Sequence, residues 1–203
     1  MINMKNIKKP KHIKSILAID PGTTNMGWAY AHTNLNTGEF LVYDYGVIKP
    51  VNLLTKEKAY RGIFEDRILK VDIVDREYSA LIEHFKADYH ASESAFFHSR
   101  SPEAYASLSI CIHTLSTVLF RYYKSGFLTA DAAILRRFAP RHIKKTVSLD
   151  GTSDKEKIQT SIKDNTQIKF IVEPDKLLSE HEADAIGCAY TFAQILPTQI
   201  VNS

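Results

Sequence analysis

Residues 15–22 read Ser-Ile-Leu-Ala-Ile-Asp-Pro-Gly, and this stretch decides the fold. Its apolar run predicts a short strand that is buried on both faces, and Pro21-Gly22 predicts the turn that ends it. Asp20 is therefore held at the carboxyl edge of a buried strand, which is the edge where ligands bind in open α/β sheets. An aspartate that only accepts hydrogen bonds from turn amides is the alternative interpretation of this segment.

The rest of the chain predicts an α/β domain around this strand. β-rich runs at 27–33 and 39–48 flank a hairpin signal, so that three antiparallel strands open the domain. The later elements are, in chain order, a helical region at about 55–85, a strand at 89–93, a helix that begins at Pro102, a strand at about 128–134, and two helices that begin at capping boxes at 153–156 and 179–182. This order predicts a mixed five-stranded sheet that is flanked by helices.

Composition and charge are those of an ordinary globular protein. The 203 residues are 44% hydrophobic and 24% charged, and the formal net charge of +3 is a weak indication of a nucleic-acid partner. The sequence contains no continuous run of about 18 apolar residues, from which we expect no membrane span. Its two cysteines have no metal-binding spacing and indicate a reducing compartment, so we expect a cytoplasmic protein.

Positive charge is concentrated in two segments. We interpret residues 1–14 as a flexible basic arm and residues 15–203 as a single domain. The lysines of the arm are Lys5, Lys8, Lys9, Lys11 and Lys14. The second basic stretch comprises Arg136, Arg137, Arg141, Lys144 and Lys145.

Further polar side chains fall where a site would form. Glu93 ends the predicted fourth strand. If that strand pairs with the first, the carboxylates of Asp20 and Glu93 lie close together at one edge of the sheet and repel each other. A bound divalent cation usually offsets such repulsion. An ordinary surface glutamate is the alternative. His181 and Asp184 share one face of an apolar last helix, where both need polar partners. Glu182 has a simpler role as the third residue of the capping box.

Three segments together resemble the RuvC-type Holliday junction resolvases, whose fold is ribonuclease H-like. The opening segment, 16–29, reads Ile-Leu-Ala-Ile-Asp-Pro-Gly-Thr-Thr-Asn-Met-Gly-Trp-Ala, and the closing segment, 181–189, reads His-Glu-Ala-Asp-Ala-Ile-Gly-Cys-Ala. Residues 139–159 are similar to the basic segment of the family, and the resemblance covers about 15–193. It implies a metal-dependent endodeoxyribonuclease that resolves four-way and other branched DNA as a homodimer. It also implies products with 5′-phosphate and 3′-hydroxyl ends, and two Mg²⁺ ions per active site, for which Mn²⁺ can substitute.

The resemblance also assigns roles to individual residues. The catalytic and metal-binding positions of the family fall on Asp20, Glu93, His181 and Asp184. The side chains that we expect to bind DNA are Phe96, Arg100, Arg141, Lys144, Lys145 and Lys155. By itself an aromatic at position 96 is more often a core residue, and isolated lysines are more often solvated charges. His181 stands where many relatives have aspartate and suits Mn²⁺ better than Mg²⁺, and its role as ligand or proton carrier stays open.

Three alternatives follow from the same residues. Residues 20–25 also resemble the first phosphate loop of actin-like ATPases and sugar kinases, but the sequence has no second such motif, and we expect no nucleotide cofactor. A related nuclease that acts mainly on flaps, forks or RNA–DNA hybrids would share the same chemistry. A non-catalytic junction-binding protein is the third alternative. The helical region at 55–85 is longer than the family's, and a phage or viral source is an open interpretation.

Overall fold

A mixed sheet of six strands forms the centre of the molecule, for which a computed structural model describes residues 10–57, 59–60, 62–95, 102–148, 155–171, 174 and 177–201. The strands are β1 (Ile13–Asp20), β2 (Met26–Asn34), β3 (Phe40–Ile48), β4 (Tyr89–Glu93), β5 (Leu135–Phe138) and β6 (Ile168–Phe170). Their order across the sheet is β5-β4-β1-β2-β3-β6. β1, β2 and β3 form an antiparallel meander, β4 and β5 continue the sheet parallel to β1, and β6 lies parallel to β3. The predicted α/β class with three antiparallel strands first is confirmed.

The helices cover both faces of this sheet. They are α1 (Pro50–Leu53), which continues into a 3₁₀ turn (Leu54–Lys56), α2 (Asp66–Phe85), α3 (Pro102–Lys124), α4 (Pro140–Ser148), α5 (Lys155–Asp164) and α6 (Glu180–Val201). Side chains of β1 alternate between two cores: Ile16 and Ala18 face α4, α5 and α6, whereas Leu17 and Ile19 face α2 and α3. β1 is therefore buried on both faces, as its apolar run predicts.

Several predicted boundaries differ from the structure. The predicted number of five strands is wrong because β6 adds a sixth; its three residues are too few to show a periodic pattern. The strand predicted at 128–134 lies instead at Leu135–Phe138. The helical region predicted at 55–85 contains a 3₁₀ turn and then a helix that begins only at Asp66. β1 begins at Ile13, so the last two residues of the predicted basic arm belong to the sheet, and residues 1–9 lie outside the described residues.

α3 is long enough and apolar enough, by length and composition alone, to cross a membrane. Polar residues interrupt the apolar side chains along α3, so this helix contains no continuous apolar run that the sequence alone would identify as a membrane span. Its Leu115, Val118 and Leu119 are fully buried in the core that α3 shares with α2 and the sheet. α3 therefore packs as a core helix on one side, while its other side exposes large apolar side chains such as Phe120, which is 60% exposed.

Candidate active site

Three carboxylates meet at the carboxyl edge of the sheet. Asp20 ends β1 and Glu93 ends β4, and the parallel pairing of Ile19 with Ser92 places these strand ends side by side. Asp184 reaches the same place from the second turn of α6. Carboxylate oxygens of Asp20, Glu93 and Asp184 all lie within 4.8 Å of one another. A set of three converging carboxylates is the kind of oxygen donor set that divalent cations prefer.

The start of α6 is positioned by close packing on β2. A Cβ atom at Gly27 would lie 2.1 Å from the carbonyl oxygen of His181, so only glycine lets the helix approach this closely. The capping box predicted at 179–182 is confirmed by two hydrogen bonds. The amide of Ser179 donates to Oε2 of Glu182 at 2.7 Å, and the amide of Glu182 donates to Oγ of Ser179 at 3.3 Å. These contacts fix the turn of helix that carries His181 and Asp184 toward the carboxyl edge.

Two carboxylates of the site, those of Glu93 and Asp184, resist ionisation. Burial, followed by the charges of Asp20 and Asp184, raises the pKa of Glu93 from 4.5 to about 8. Burial, followed by the charge of Asp20, raises the pKa of Asp184 from 3.8 to about 7. The charge of Lys144 acts in the opposite direction on both groups. Near neutral pH the cluster therefore retains protons unless a cation offsets the repulsion among its carboxylates.

His181 contacts the cluster through Asp20. Its Nδ1 lies 2.7 Å from Oδ2 of Asp20, and this hydrogen bond is the main cause of a raised His181 pKa. In this arrangement Nδ1 donates to the carboxylate and Nε2 is the ring nitrogen with which a metal ligand would bind. Metal-binding histidines commonly donate their other ring N–H to a carboxylate, so the contact is compatible with the ligand role expected for His181.

Two adjoining clefts open onto the carboxylates. The larger, about 500 Å³, lies between the loop that follows β1 and the first turns of α3 and α6. Its lining residues include Asp20, Thr23, Thr24, Asn25, Glu93, Ser107, Glu180, His181 and Asp184. The smaller, about 180 Å³, lies between α4, α5 and α6, and Lys144 lines it together with Glu93, Glu180 and Asp184. The sequence analysis missed Glu180, although its place directly before His181 at the start of a capped helix was a usable signal.

The residues expected to bind DNA divide into two groups. Lys144 lies beside the carboxylates, while Arg141 and Lys145 are exposed on the same helix, α4. Phe96 and Arg100 lie outside the described residues, as does the side chain of Lys155, although α5 begins at that residue. The nearby Arg136 is structural: its guanidinium lies 5.3 Å and 5.5 Å from the ring centroids of two core aromatics and donates to backbone carbonyls.

The strand order and the position of the carboxylates define the class of the protein. A sheet that begins with three antiparallel strands and continues with parallel β4 and β5 is the ribonuclease H-like fold. Asp20, Glu93 and Asp184 lie at one edge of that sheet, at the ends of β1 and β4 and on the last helix.

Comparison with known proteins makes the class more specific. The chain is 27% identical over 192 residues to the crossover junction endodeoxyribonuclease RuvC of Cytophaga hutchinsonii, covering 92% of this chain and 80% of that protein. It is 24% identical over 188 residues to the RuvC of Helicobacter hepaticus, covering 93% of this chain and 87% of that protein. Thermus thermophilus RuvC, solved in complex with a Holliday junction substrate, superposes with a TM-score of 0.66 at 16% identity and covers 92% of this chain and 96% of its own. No protein-family model matches the chain. The resemblance to RuvC-type resolvases that the motifs indicate is thus confirmed in sequence and in fold.

Proposed function

We propose that this protein is a metal-dependent endodeoxyribonuclease that resolves four-way DNA junctions. The observation that carries the proposal is the convergence of Asp20, Glu93 and Asp184 within 4.8 Å on the ribonuclease H-like fold. The curated relatives are named as crossover junction endodeoxyribonucleases, and they align over nearly the whole chain. A junction is therefore the first substrate to test.

The donor set fits divalent metal ions. Oxygen ligands suit Mg²⁺ and Mn²⁺, and burial together with the neighbouring carboxylates raises the pKa values of Glu93 and Asp184, so that a bound cation would favour their ionised forms. We infer that Asp20, Glu93 and Asp184 hold two ions, with His181 as the neighbouring nitrogen ligand or proton carrier. When bound, the ions supply Lewis-acid stabilisation of the scissile phosphate and a water of lowered pKa.

The side chains of the protein perform the remaining tasks. His181 orients the Asp20 carboxylate through the 2.7 Å contact. Lys144 lies where its ammonium can neutralise a phosphate next to Glu93 and Asp184. The N-terminal turn of α3 borders the larger cleft, and helix N-termini favour phosphate groups. Strand cleavage at this position would leave 5′-phosphate and 3′-hydroxyl ends.

DNA outside the cleft would contact the exposed surface of α4. Arg141 and Lys145 are exposed there on the same helix as Lys144. Each phosphate contact made by these cations adds to the salt dependence of binding. We also assign Phe96, Arg100 and Lys155 to DNA binding, on the resemblance of their segments to the family.

A homodimer would match the approximate two-fold symmetry of a four-way junction. The exposed side of α3 is the surface that we assign to this contact. Ile110, Phe120 and Tyr123 are 36%, 60% and 48% exposed there, an apolar content that is unusual for a surface helix in water. The DNA substrate also implies a cytoplasmic location, in a bacterium or a phage-infected cell.

The test compares substrates in one gel assay. A mobile four-way junction, a flap, a fork, an RNA–DNA hybrid and a linear duplex are each incubated with the protein in Mg²⁺ or Mn²⁺. Preferred cleavage of the junction supports the proposal. Equal cleavage of flaps, forks or hybrids would instead indicate a broader ribonuclease H-like nuclease. Junction binding without cleavage in either metal would indicate an architectural protein.

A further inference from the structure

An apolar groove lies open beside the first half of α2. It has a volume of about 360 Å³, and its lining residues are Glu57, Tyr60, Phe64, Ile68, Leu69, Asp72 and Arg76. Tyr60, Phe64 and Ile68 are 52%, 48% and 53% exposed, so the groove presents two aromatic rings and an isoleucine to solvent. Large apolar side chains that are grouped on a surface indicate a binding site, whereas scattered ones do not.

The chain topology places the segment that forms this groove at the carboxyl edge of the sheet, where Asp20 lies. β3 is antiparallel to β2, which is antiparallel to β1, so β3 ends at the same edge as β1. α2 leads into β4, which starts at the opposite edge because it runs parallel to β1. Residues 49–65, which connect β3 to α2, therefore lie at the carboxyl edge. β3 is two strand spacings from β1, or about 10 Å.

Packing and an ion pair hold this segment in place. Leu54 is 3% exposed and packs on an apolar side of α2. Nη2 of Arg76 lies 2.5 Å from Oε1 of Glu57. The amide of Phe64 donates to the carbonyl of Tyr60 at 3.1 Å, which closes the turn between the two aromatic residues. Both rings therefore project from an ordered backbone, which lowers the entropy that binding costs.

The same part of the chain is basic. Residues 49–70 contain six lysine and arginine side chains against three acidic ones, a net charge of +3 that equals the net charge of the whole chain. Lys49, Lys56 and Arg67 are exposed. Positive charge beside aromatic rings favours a polyanion that carries flat, apolar groups, and DNA is such a ligand.

Polar groups on the rim of the groove suit the edge of a base. Nε of Arg76 lies 3.2 Å from Oδ2 of Asp72, and the two side chains are 54% and 62% exposed. A guanidinium donates to the acceptor atoms of a base, and a carboxylate accepts from its amino group. An apolar helix of a partner protein would instead remove water from these charges at a cost in free energy. The groove therefore fits a base better than it fits an apolar helix.

We propose that this groove binds an unpaired base of branched DNA, which stacks on the rings of Tyr60 and Phe64. This inference rests on the proposed function, because it takes branched DNA as the ligand, and it adds a contact surface outside the metal site. A branch point offers bases that lack a stacking partner on one side, and about 360 Å³ is enough space for one base. Lys56 and its basic neighbours bind the flanking phosphates.

Fluorescence anisotropy tests the groove with a labelled four-way junction and a labelled single-stranded oligonucleotide, both in EDTA so that metal-dependent cleavage does not occur. Phe64→Ala should weaken binding of both DNAs about tenfold, as expected for the loss of one stacked base. It should leave the slope of log affinity against log salt concentration unchanged. Lys56→Gln should instead make that slope shallower by about one, as expected for the loss of one phosphate contact.

The ring itself is tested by three further variants. Phe64→Tyr should bind both DNAs like the wild type. Phe64→Leu should bind as weakly as Phe64→Ala, because leucine is apolar but has no ring. The matched control is Phe127→Ala, which removes a ring that is 43% exposed. That ring lies 5.8 Å from Nζ of Lys86, at the far end of α2, and its loss should leave DNA binding unchanged.

The outcomes separate this inference from the proposed function. Full affinity in Phe64→Ala, restored affinity in Phe64→Leu, or an equal loss in Phe127→Ala would overturn the inference, and junction cleavage by the wild type in Mg²⁺ would still support the nuclease. Binding that depends on the Phe64 ring, in a wild type that cleaves no branched DNA, would remove the proposed function and keep the groove as a DNA site.

The oligomeric state of Phe64→Ala tests the other kind of occupant. Analytical ultracentrifugation should give this variant the same mass as the wild type. A dimer that becomes a monomer would show that the groove binds a second copy of the chain, and would overturn the inference. Circular dichroism of each variant checks that the fold is retained.

Discussion

Replacing Asp184 with asparagine should stabilise the protein when no metal is present. Its pKa rises from 3.8 in a free carboxyl to about 7 in the folded protein. One pKa unit corresponds to about 1.4 kcal/mol, so ionised Asp184 costs the folded state about 4 kcal/mol at pH 7. The asparagine amide must still find partners in the cleft, at a cost of about 1–3 kcal/mol. We therefore expect Asp184→Asn to raise the free energy of unfolding by about 2 kcal/mol, by the balance of these terms.

The stability that Asp184→Asn gains over the wild type should decrease as the pH falls. Because the folded pKa lies above the unfolded one, the folded protein binds this proton more tightly, and the penalty is absent below about pH 3.8. It grows as the pH rises toward 7, where the unfolded chain has lost the proton. At pH 5 the same arithmetic leaves a cost of about 2 kcal/mol. The advantage of the asparagine variant should therefore shrink or vanish on acidification.

Urea unfolding followed by circular dichroism measures this difference. In EDTA at pH 7 the variant should unfold at a higher urea concentration than the wild type. In Mn²⁺ the order should reverse, because an ion at 100 times its dissociation constant adds about 2.7 kcal/mol to the protein that binds it. Glu182→Gln, which loses a carboxylate outside the cluster, should show neither effect. A variant that is less stable than the wild type in EDTA, and equally stabilised by Mn²⁺, would refute the reasoning.

Three further predictions concern the packing of α6 on β2, the buried His90 and the proposed dimer interface on α3. Gly27→Ala should lower the free energy of unfolding by about 1–3 kcal/mol in urea, because its Cβ would collide with the His181 carbonyl; unchanged stability would contradict this packing. Burial lowers the pKa of His90 to about 3, so His90 should contribute a loss of about 2 kcal/mol of stability between pH 7 and pH 5, because only the unfolded chain takes up the proton; this contribution is opposite in sign to that of Asp184. His90→Leu should reduce that loss in the same melts, and an identical pH profile would exclude His90 as its source. Phe120→Asp should convert a dimer to a monomer in analytical ultracentrifugation, whereas an unaltered mass would place the interface elsewhere.

The sequence predicts those parts of the site that depend on local patterns. The apolar run before Asp20 predicts a doubly buried strand, and β4 occupies the range predicted for it, Tyr89–Glu93. The capping box at 179–182 predicts the start of α6 to the residue. Each of these features is encoded within about ten residues, where hydrophobic periodicity and capping preferences act.

Contacts between distant segments escape the same reasoning. The sequence analysis could assume the parallel pairing of β1 with β4 but could not predict it, because tertiary packing sets the order of strands in a sheet. The 2.7 Å contact between His181 and Asp20 spans 161 positions and leaves no local pattern. Glu180 was not singled out, since a glutamate at the start of a helix carries no distinctive signal in the sequence. β6 was missed since three residues beside an edge strand carry almost no periodic signal.

The most direct test of the account maps the cleavage sites in a four-way junction that carries a label on each strand in turn. With Mg²⁺ or Mn²⁺, the wild type should make paired nicks at symmetric positions in two opposing strands, and DNA ligase should reseal the products because they carry 5′-phosphate and 3′-hydroxyl ends. Asp184→Asn should bind the junction with similar affinity and make no nicks. Cleavage by Asp184→Asn at the wild-type rate, or an intact junction after incubation with folded, metal-bound wild type, would contradict the account.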